Sequence, residues 1–121
     1  MKETLAYLSA RSPFYQRLFV ENDIDINEIR TLEDLRRIPV TTKRDLQLHG
    51  AEFCCVNPSE IIDYSTTSGT LGDPVTFTET EGDLQHLAYN EQLSFQTAGC
   101  TRDDIMQEMV TIDRRFMAGL A

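Results

Sequence analysis

Thr66-Thr67-Ser68-Gly69-Thr70-Leu71-Gly72-Asp73-Pro74 joins two stretches that read as β-strand. Upstream, Ile61-Ile62-Asp63-Tyr64 is short, apolar and β-favouring. Downstream, Val75-Thr76-Phe77-Thr78 alternates apolar with polar residues. The intervening run carries four hydroxyl side chains and two glycines and is bounded by proline. Gly69 and Gly72 permit positive φ and close approach of a ligand, so hydroxyls and backbone N–H groups can converge on one point. Polyphosphate suits such a loop. The alternative is an ordinary Ser/Thr/Gly-rich turn.

Two well-known phosphate loops do not fit. A P-loop requires Lys-Ser or Lys-Thr after its last glycine and opens into a helix. Here Asp73-Pro74 and a strand follow Gly72. A dinucleotide fingerprint needs three glycines in Gly-x-Gly-x-x-Gly order and a following helix, and this loop has neither. What remains is a phosphate clamp between the two strands of a hairpin-like unit.

The surrounding chain supplies further blocks in a fixed order. Ser12-Pro13-Phe14-Tyr15-Gln16-Arg17-Leu18-Phe19 comes first, and Leu32 to Leu46 follows with Arg36-Arg37-Ile38-Pro39-Val40-Thr41-Thr42-Lys43 at its centre. After the loop come a helix starting near Thr80 and the segment Ala98-Gly99-Cys100-Thr101-Arg102-Asp103-Asp104-Ile105. From about Ser12 to Ala121 this order resembles the adenylate-forming enzymes, and within them the phenylacetate–coenzyme A ligase branch. Leu71 stands where that family usually carries another hydroxyl residue, which removes one phosphate contact. Val75 stands where the wider superfamily often has lysine, as is common in the ligase branch.

The resemblance implies an α/β fold. Residues 1–59 form a helical N-terminal lead-in. Residues 60–121 form the first strands and helix of an adenylate-forming-enzyme N-terminal domain, incomplete here. It implies ATP, Mg²⁺ and coenzyme A as cofactors or co-substrates, and an aryl-acetic or related aromatic acid as substrate. By the same resemblance Thr67, Ser68, Gly69, Thr70 and Gly72 contact the ATP phosphates. Phe116 and Gly119 fall in the segment that lines the acyl pocket, with core packing as the alternative. No residue of this stretch is expected to be catalytic or to ligate a metal. Family enzymes are several times longer, and Met117-Ala118-Gly119-Leu120-Ala121 stops within an apolar segment. The chain therefore reads as the N-terminal piece of a ligase, inactive alone. A non-catalytic interaction module and a stand-alone nucleotide-binding fragment are the competing readings.

Composition sets bounds of its own. Hydrophobic residues make up 40% and charged residues 26% of the 121, as in an ordinary globular domain. A net charge of −9 argues against nucleic acid as partner, because phosphate backbones require a basic surface. No apolar run reaches the roughly 18 residues of a membrane span, and Met1-Lys2-Glu3-Thr4 does not open a signal peptide, so the expected location is cytoplasmic. Cys54, Cys55 and Cys100 lack metal-site spacing and read as reduced thiols.

Local signals divide the chain into helices followed by an α/β unit. Glu3 to Ala10 suits a short helix with Leu5 and Leu8 on one side. Ser12-Pro13 starts a second helix that Asn22-Asp23 closes, with Phe14, Leu18, Phe19 and Tyr15 as its apolar face. Thr31 and Asp34 form a capping box for a helix over Leu32–Arg37, and Pro39 ends it. Thr41 or Thr42 caps another helix that runs to about His49 and stops at Gly50.

Thr80 and Asp83 cap a long helix whose face is Leu84, Leu87, Ala88, Phe95 and Ala98, and Gly99 ends it. Ile105 to Ile112 reads as a core strand of a mixed or parallel sheet. Uncovered edges then favour self-association. Lys43 and Arg44 read as a solvated face, His49 and His86 as satisfied or surface histidines with no carboxylate at ligand spacing. Arg114 and Arg115 lie where a substrate or nucleotide contact is conceivable.

Overall fold

A computed structural model describes residues 1–67, 73–107 and 109. The chain divides into two compact units, Met1–Asn57 and Pro58–Ala121.

The first unit is helical. Helix α1 runs Lys2–Arg11 and turns Leu5 into the interior, with Leu8 half-buried. Ser12 is fully buried and joins α1 to α2 (Pro13–Glu21). Its Oγ accepts from the Tyr15 N–H (3.4 Å) and donates to the Glu52 carbonyl (2.9 Å), so one hydroxyl caps α2 and ties it to a distant helix. Pro13 sits at N1, where its missing N–H costs nothing.

Asn22-Asp23 ends α2 as the sequence implies. Asp23 takes φ 51°, the Ile24 N–H bonds the Phe19 carbonyl (2.9 Å) and the Asp23 N–H bonds that of Val20 (3.3 Å). That pair of bonds is a Schellman motif. The turn swings Ile24 and Ile29 back onto Leu5 and Phe19, and these four are the core. Tyr15, Ile26, Leu35 and Ile38 pack around it.

Two expectations need correction here. The helix expected over Leu32–Arg37 is a 3₁₀ turn, Asp34–Arg37. The Thr31–Asp34 bonds do form: the Thr31 N–H donates to Asp34 Oδ2 (2.8 Å), and the Asp34 N–H to Thr31 Oγ1 (3.3 Å). Pro39 lies too close, however. It holds Ile38 extended (ψ 122°), and the few residues left cannot recover the nucleation cost of an α-helix.

Helix α3, Lys43–Phe53, starts at Thr42 with a full capping box to Asp45 but does not stop at Gly50. It bends at His49 (φ −126°, ψ 19°) and continues. Tertiary contacts hold the extra turn: Phe53 stacks on Phe14 (4.0 Å between centroids), and Glu52 receives Arg17 and the His49 ring (Nδ1 to Oε1, 3.0 Å).

The second unit opens with a 3₁₀ turn at Pro58–Glu60, then strands β1 (Ile61–Thr66) and β2 (Thr76–Thr80) and helix α4 (Glu81–Thr97). The strands pair antiparallel, with Asp63 opposite Glu79, Ser65 opposite Phe77 and Thr66 opposite Thr76. A bulge falls between Ile61 and Asp63. This antiparallel pair, as the hairpin reading implies, is the sheet found among the described residues. Helices with a small two-stranded sheet constitute an incomplete α/β domain.

Helix α4 is capped as expected. Thr80 Oγ1 accepts from the Asp83 N–H (3.3 Å), and Asp83 Oδ2 accepts from the Thr80 N–H (2.9 Å). Gly99 (φ 93°) ends it, with the Cys100 N–H returning to the Phe95 carbonyl (2.9 Å). Its anticipated apolar face is not a buried one: Leu84 and Leu87 are half-buried, whereas Ala88, Phe95 and Ala98 are exposed. The core strand anticipated over Ile105–Ile112 does not form in its described part. Ile105 is fully exposed, and Met106 and Met109 are exposed in non-strand backbone; Glu108 and Val110 to Ile112 lie outside the described residues. An extended apolar segment needs a partner strand for its N–H and C=O groups, and the described residues offer none there.

The α4 cap yields a measurable expectation. Thr80→Ala removes the acceptor for the Asp83 N–H and should destabilise α4 by about 1 kcal/mol, seen as faster amide exchange in its first turn. The Asp83 carboxyl sits below its ordinary value of 3.8, held there by the Thr80 N–H and then the Thr80 hydroxyl. A depressed carboxyl contributes fully above pH 3.8, and the contribution disappears as pH falls through the lowered folded value. The α4 amide protection should therefore weaken in acid below 3.8 in wild type, and less so in Asp83→Asn.

Candidate functional site

The residues with the strongest chemical promise sit around the hairpin. Cross-strand pairing continues one step past Thr66: the Thr67 N–H donates to the Val75 carbonyl (3.0 Å). In return the Val75 N–H donates to the Thr67 side-chain oxygen (3.0 Å). Val75 is 3% exposed, which shields this closure from water. Two hydrogen bonds between the same residues make a neck, and the loop Ser68–Pro74 springs from it. Thr67 Oγ1 accepts from the backbone here, and a hydroxyl that accepts can also donate its proton.

Of the expected phosphate contacts, Thr67 is thus placed at the mouth of the loop. Ser68, Gly69, Thr70 and Gly72 lie outside the described residues, as do Phe116 and Gly119 of the expected acyl pocket and the Arg114-Arg115 pair. Asp73 and Pro74 are exposed on the return to Val75.

Below the neck lies a feature that reading the sequence missed. Ser65 (1% exposed) and Glu79 (4% exposed) are buried polar residues, and Ser65 Oγ donates to Glu79 Oε1 (2.5 Å). Glu79 Oε2 is buried without a hydrogen-bond partner. The signal was available in the alternation itself. A period of two that buries Val75 carries Phe77 and Glu79 to the same face, so the pattern places an acid at an inward position.

Other groups resolve into structural roles. His49 has a carboxylate partner three positions on, Glu52, which corrects the expectation of none at such spacing. Glu52 is held below its ordinary carboxyl value by Arg17 and then by His49. Lys43, Arg44 and His86 are exposed. Cys54, Cys55 and Cys100 are free and half-buried, and burial raises the Cys55 thiol above its usual value. No cluster of three or more His, Cys, Asp or Glu able to hold a metal occurs among the described residues. No helix among them is long and apolar enough to cross a membrane.

No family model matches the chain. It is 38% identical over 100 residues to a phenylacetate–coenzyme A ligase of Thermus thermophilus, covering 82% of this chain and 22% of that protein. It is 30% identical over 105 residues to the phenylacetate–coenzyme A ligase of Escherichia coli, covering 86% and 24% respectively. The chain therefore spans less than a quarter of the length of these curated relatives.

Among solved structures it resembles a 2-hydroxyisobutyryl-CoA ligase in the postadenylation state with 2-HIB-AMP. The TM-score is 0.74 at 27% identity, over 85% of this chain and 22% of that one. The same ligase with 2-HIB-AMP and CoA in its thioesterification state matches with TM-score 0.66 at 31% identity, over 74% of this chain and 20% of that one.

Proposed function

Because the chain belongs to the phenylacetate–coenzyme A ligase-like proteins of the adenylate-forming superfamily, we propose that it is an N-terminal portion of an ATP-dependent acid–CoA ligase whose hairpin loop grips the nucleotide phosphates. In the complete enzyme a carboxylate attacks the α-phosphorus of ATP, giving an acyl-adenylate and pyrophosphate. Coenzyme A thiolate then displaces AMP to form the thioester. An aryl-acetic or related aromatic acid is the proposed substrate, and the cytoplasm the proposed location.

The observation that carries this reading is the double-bonded neck between Thr67 and Val75. It fixes Thr67 at the root of the connection between the strands, and its hydroxyl is proposed to donate to the phosphates. Thr67, Ser68, Gly69, Thr70 and Gly72 are proposed to hold the β- and γ-phosphates and to stabilise charge on departing pyrophosphate. Mg²⁺ is proposed to be shared between this loop and the triphosphate. Phe116 and Gly119 are proposed to line the acyl pocket. Attack by a carboxylate needs no general base, because the acid is already ionised at neutral pH.

The test is a graft. Residues 61–80 replace the corresponding hairpin of the Thermus thermophilus relative, and pyrophosphate release is followed with ATP, Mg²⁺ and phenylacetate. The graft should retain release, and Thr67→Ala within it should raise the KM for ATP about tenfold, the equivalent of ~1.4 kcal/mol. The 121-residue chain alone should release none. Loss of all activity in a correctly folded graft, or an unchanged KM in the alanine variant, would refute the assignment.

A further inference from the structure

The two faces of the β1–β2 hairpin differ little in apolar character. Ile61 and Val75 lie inward with the polar pair Ser65 and Glu79, but Ile62 and Tyr64 are exposed on the opposite face. Phe77, inward by alternation, is itself 38% exposed. The connection between the strands is glycine-rich, and a bulge between Ile61 and Asp63 already breaks the ladder at its far end. Strands of this kind are prone to slip, because register is pinned by contrast between a buried apolar face and a polar one.

The Ser65–Glu79 bond supplies the missing contrast. Ser65 pairs with Phe77, and Glu79 lies two residues further along β2, so Ser65 Oγ meets Glu79 Oε1 along the diagonal of one face (2.5 Å). A one-residue slip turns Glu79 to the other face and ends that bond. The same slip sets Pro74 or Thr76 opposite Thr67 in place of Val75, and Pro74 has no N–H to give the Thr67 oxygen. The register that closes the neck is thus the one that pairs the two buried side chains. Glu79 also holds its place against stability, since its Oε2 is buried without a hydrogen-bond partner. A well-packed apolar residue stabilises such a position at least as well, and the best-attested reason to keep a buried polar group is to fix register.

We infer that Ser65 and Glu79 are positioning residues: their buried bond locks the β1–β2 register and so sets Thr67 against Val75 at the neck. They act through Thr67 rather than on a ligand. The consequence for ATP rests on the phosphate-loop reading above, whereas the lock itself does not.

The double variant Ser65→Ala/Glu79→Leu removes both polar groups together, so neither is left behind unpaired. In the 121-residue chain it should unfold at a urea concentration no lower than wild type. Its Thr67 and Val75 amides should nevertheless each split into more than one NMR signal, and Val75 should exchange about tenfold faster. Glu79→Gln keeps an acceptor for the Ser65 hydroxyl and should behave as wild type does. In the grafted Thermus thermophilus ligase, a fall of the correctly registered form to about one third raises the KM for ATP about threefold and leaves that for phenylacetate unchanged. Single Thr67 and Val75 signals with wild-type exchange in the folded double variant would overturn the lock. If the double variant does not fold, Ser65→Ala alone decides by the same readouts. Thr67→Ala in the same graft separates the two readings. A KM for ATP raised by Thr67→Ala but not by the double variant overturns the positioning role. One raised by neither counts against the phosphate loop, and the lock is then decided by the NMR signals and exchange.

Discussion

Ile29→Ala should be the most damaging single truncation in the helical unit, at about 2–5 kcal/mol. Ile29 has no exposed surface and packs among Leu5, Phe19 and Ile24. It reaches them only because the Asp23 turn and the 3₁₀ turn Ile26–Glu28 fold the chain back over α1 and α2. Alanine there leaves a void that neighbours on three separate segments cannot close together. Small domains rest on about 5–15 kcal/mol in total, so the loss is a large share. Urea unfolding followed by far-UV circular dichroism should show a markedly lower midpoint. Val20→Ala, at a position 78% exposed, should stay within about 0.5 kcal/mol. Equal midpoints for the two variants would contradict this account of the core.

Thr67→Val should open the hairpin neck. Valine keeps the shape of threonine but removes the oxygen that receives the Val75 N–H, leaving a donor of a buried residue unsatisfied. Such a loss costs about 1–3 kcal/mol. Thr67→Ser retains the oxygen and should restore most of it. Amide exchange at Val75 is the direct readout, accelerated in the valine variant and near wild type in the serine variant. Within the grafted relative, the same valine change should also weaken ATP binding, because it deletes the proposed phosphate donor. Unchanged exchange at Val75 in the valine variant would show that the neck is held by the Thr67 N–H bond alone.

Signals confined to three or four residues were legible in the sequence. Ser12-Pro13, Thr42 with Asp45, Thr80 with Asp83, Asn22-Asp23 and Gly99 each bound their helix as read, because a cap is a local bond between neighbours. The hairpin on either side of the glycine-rich loop was legible for the same reason. Features that depend on distant partners were not. Helix α3 passes Gly50 because Phe14 and Arg17, more than thirty residues upstream, reward an extra turn. The Leu32–Arg37 box formed but could not propagate against Pro39. The face of α4 and the Ile105 strand were read as buried, and burial is a property of neighbours rather than of the segment itself. The burial of Glu79 is harder to read because its signal lies in the alternation of a strand rather than in a short-range motif.

Helix α4 is seventeen residues long and has no buried side chain. A peptide of that length is near the threshold at which helices persist unaided in water. Its order is therefore underwritten at its two extremities, by the Thr80–Asp83 clasp and the Gly99 reversal, rather than along its flank. Tyr89, Leu93 and Phe95 consequently face solvent on a rod whose shape is set before anything leans against it. Whatever later shelters those side chains would meet a prefolded surface and be spared the entropic toll of winding it.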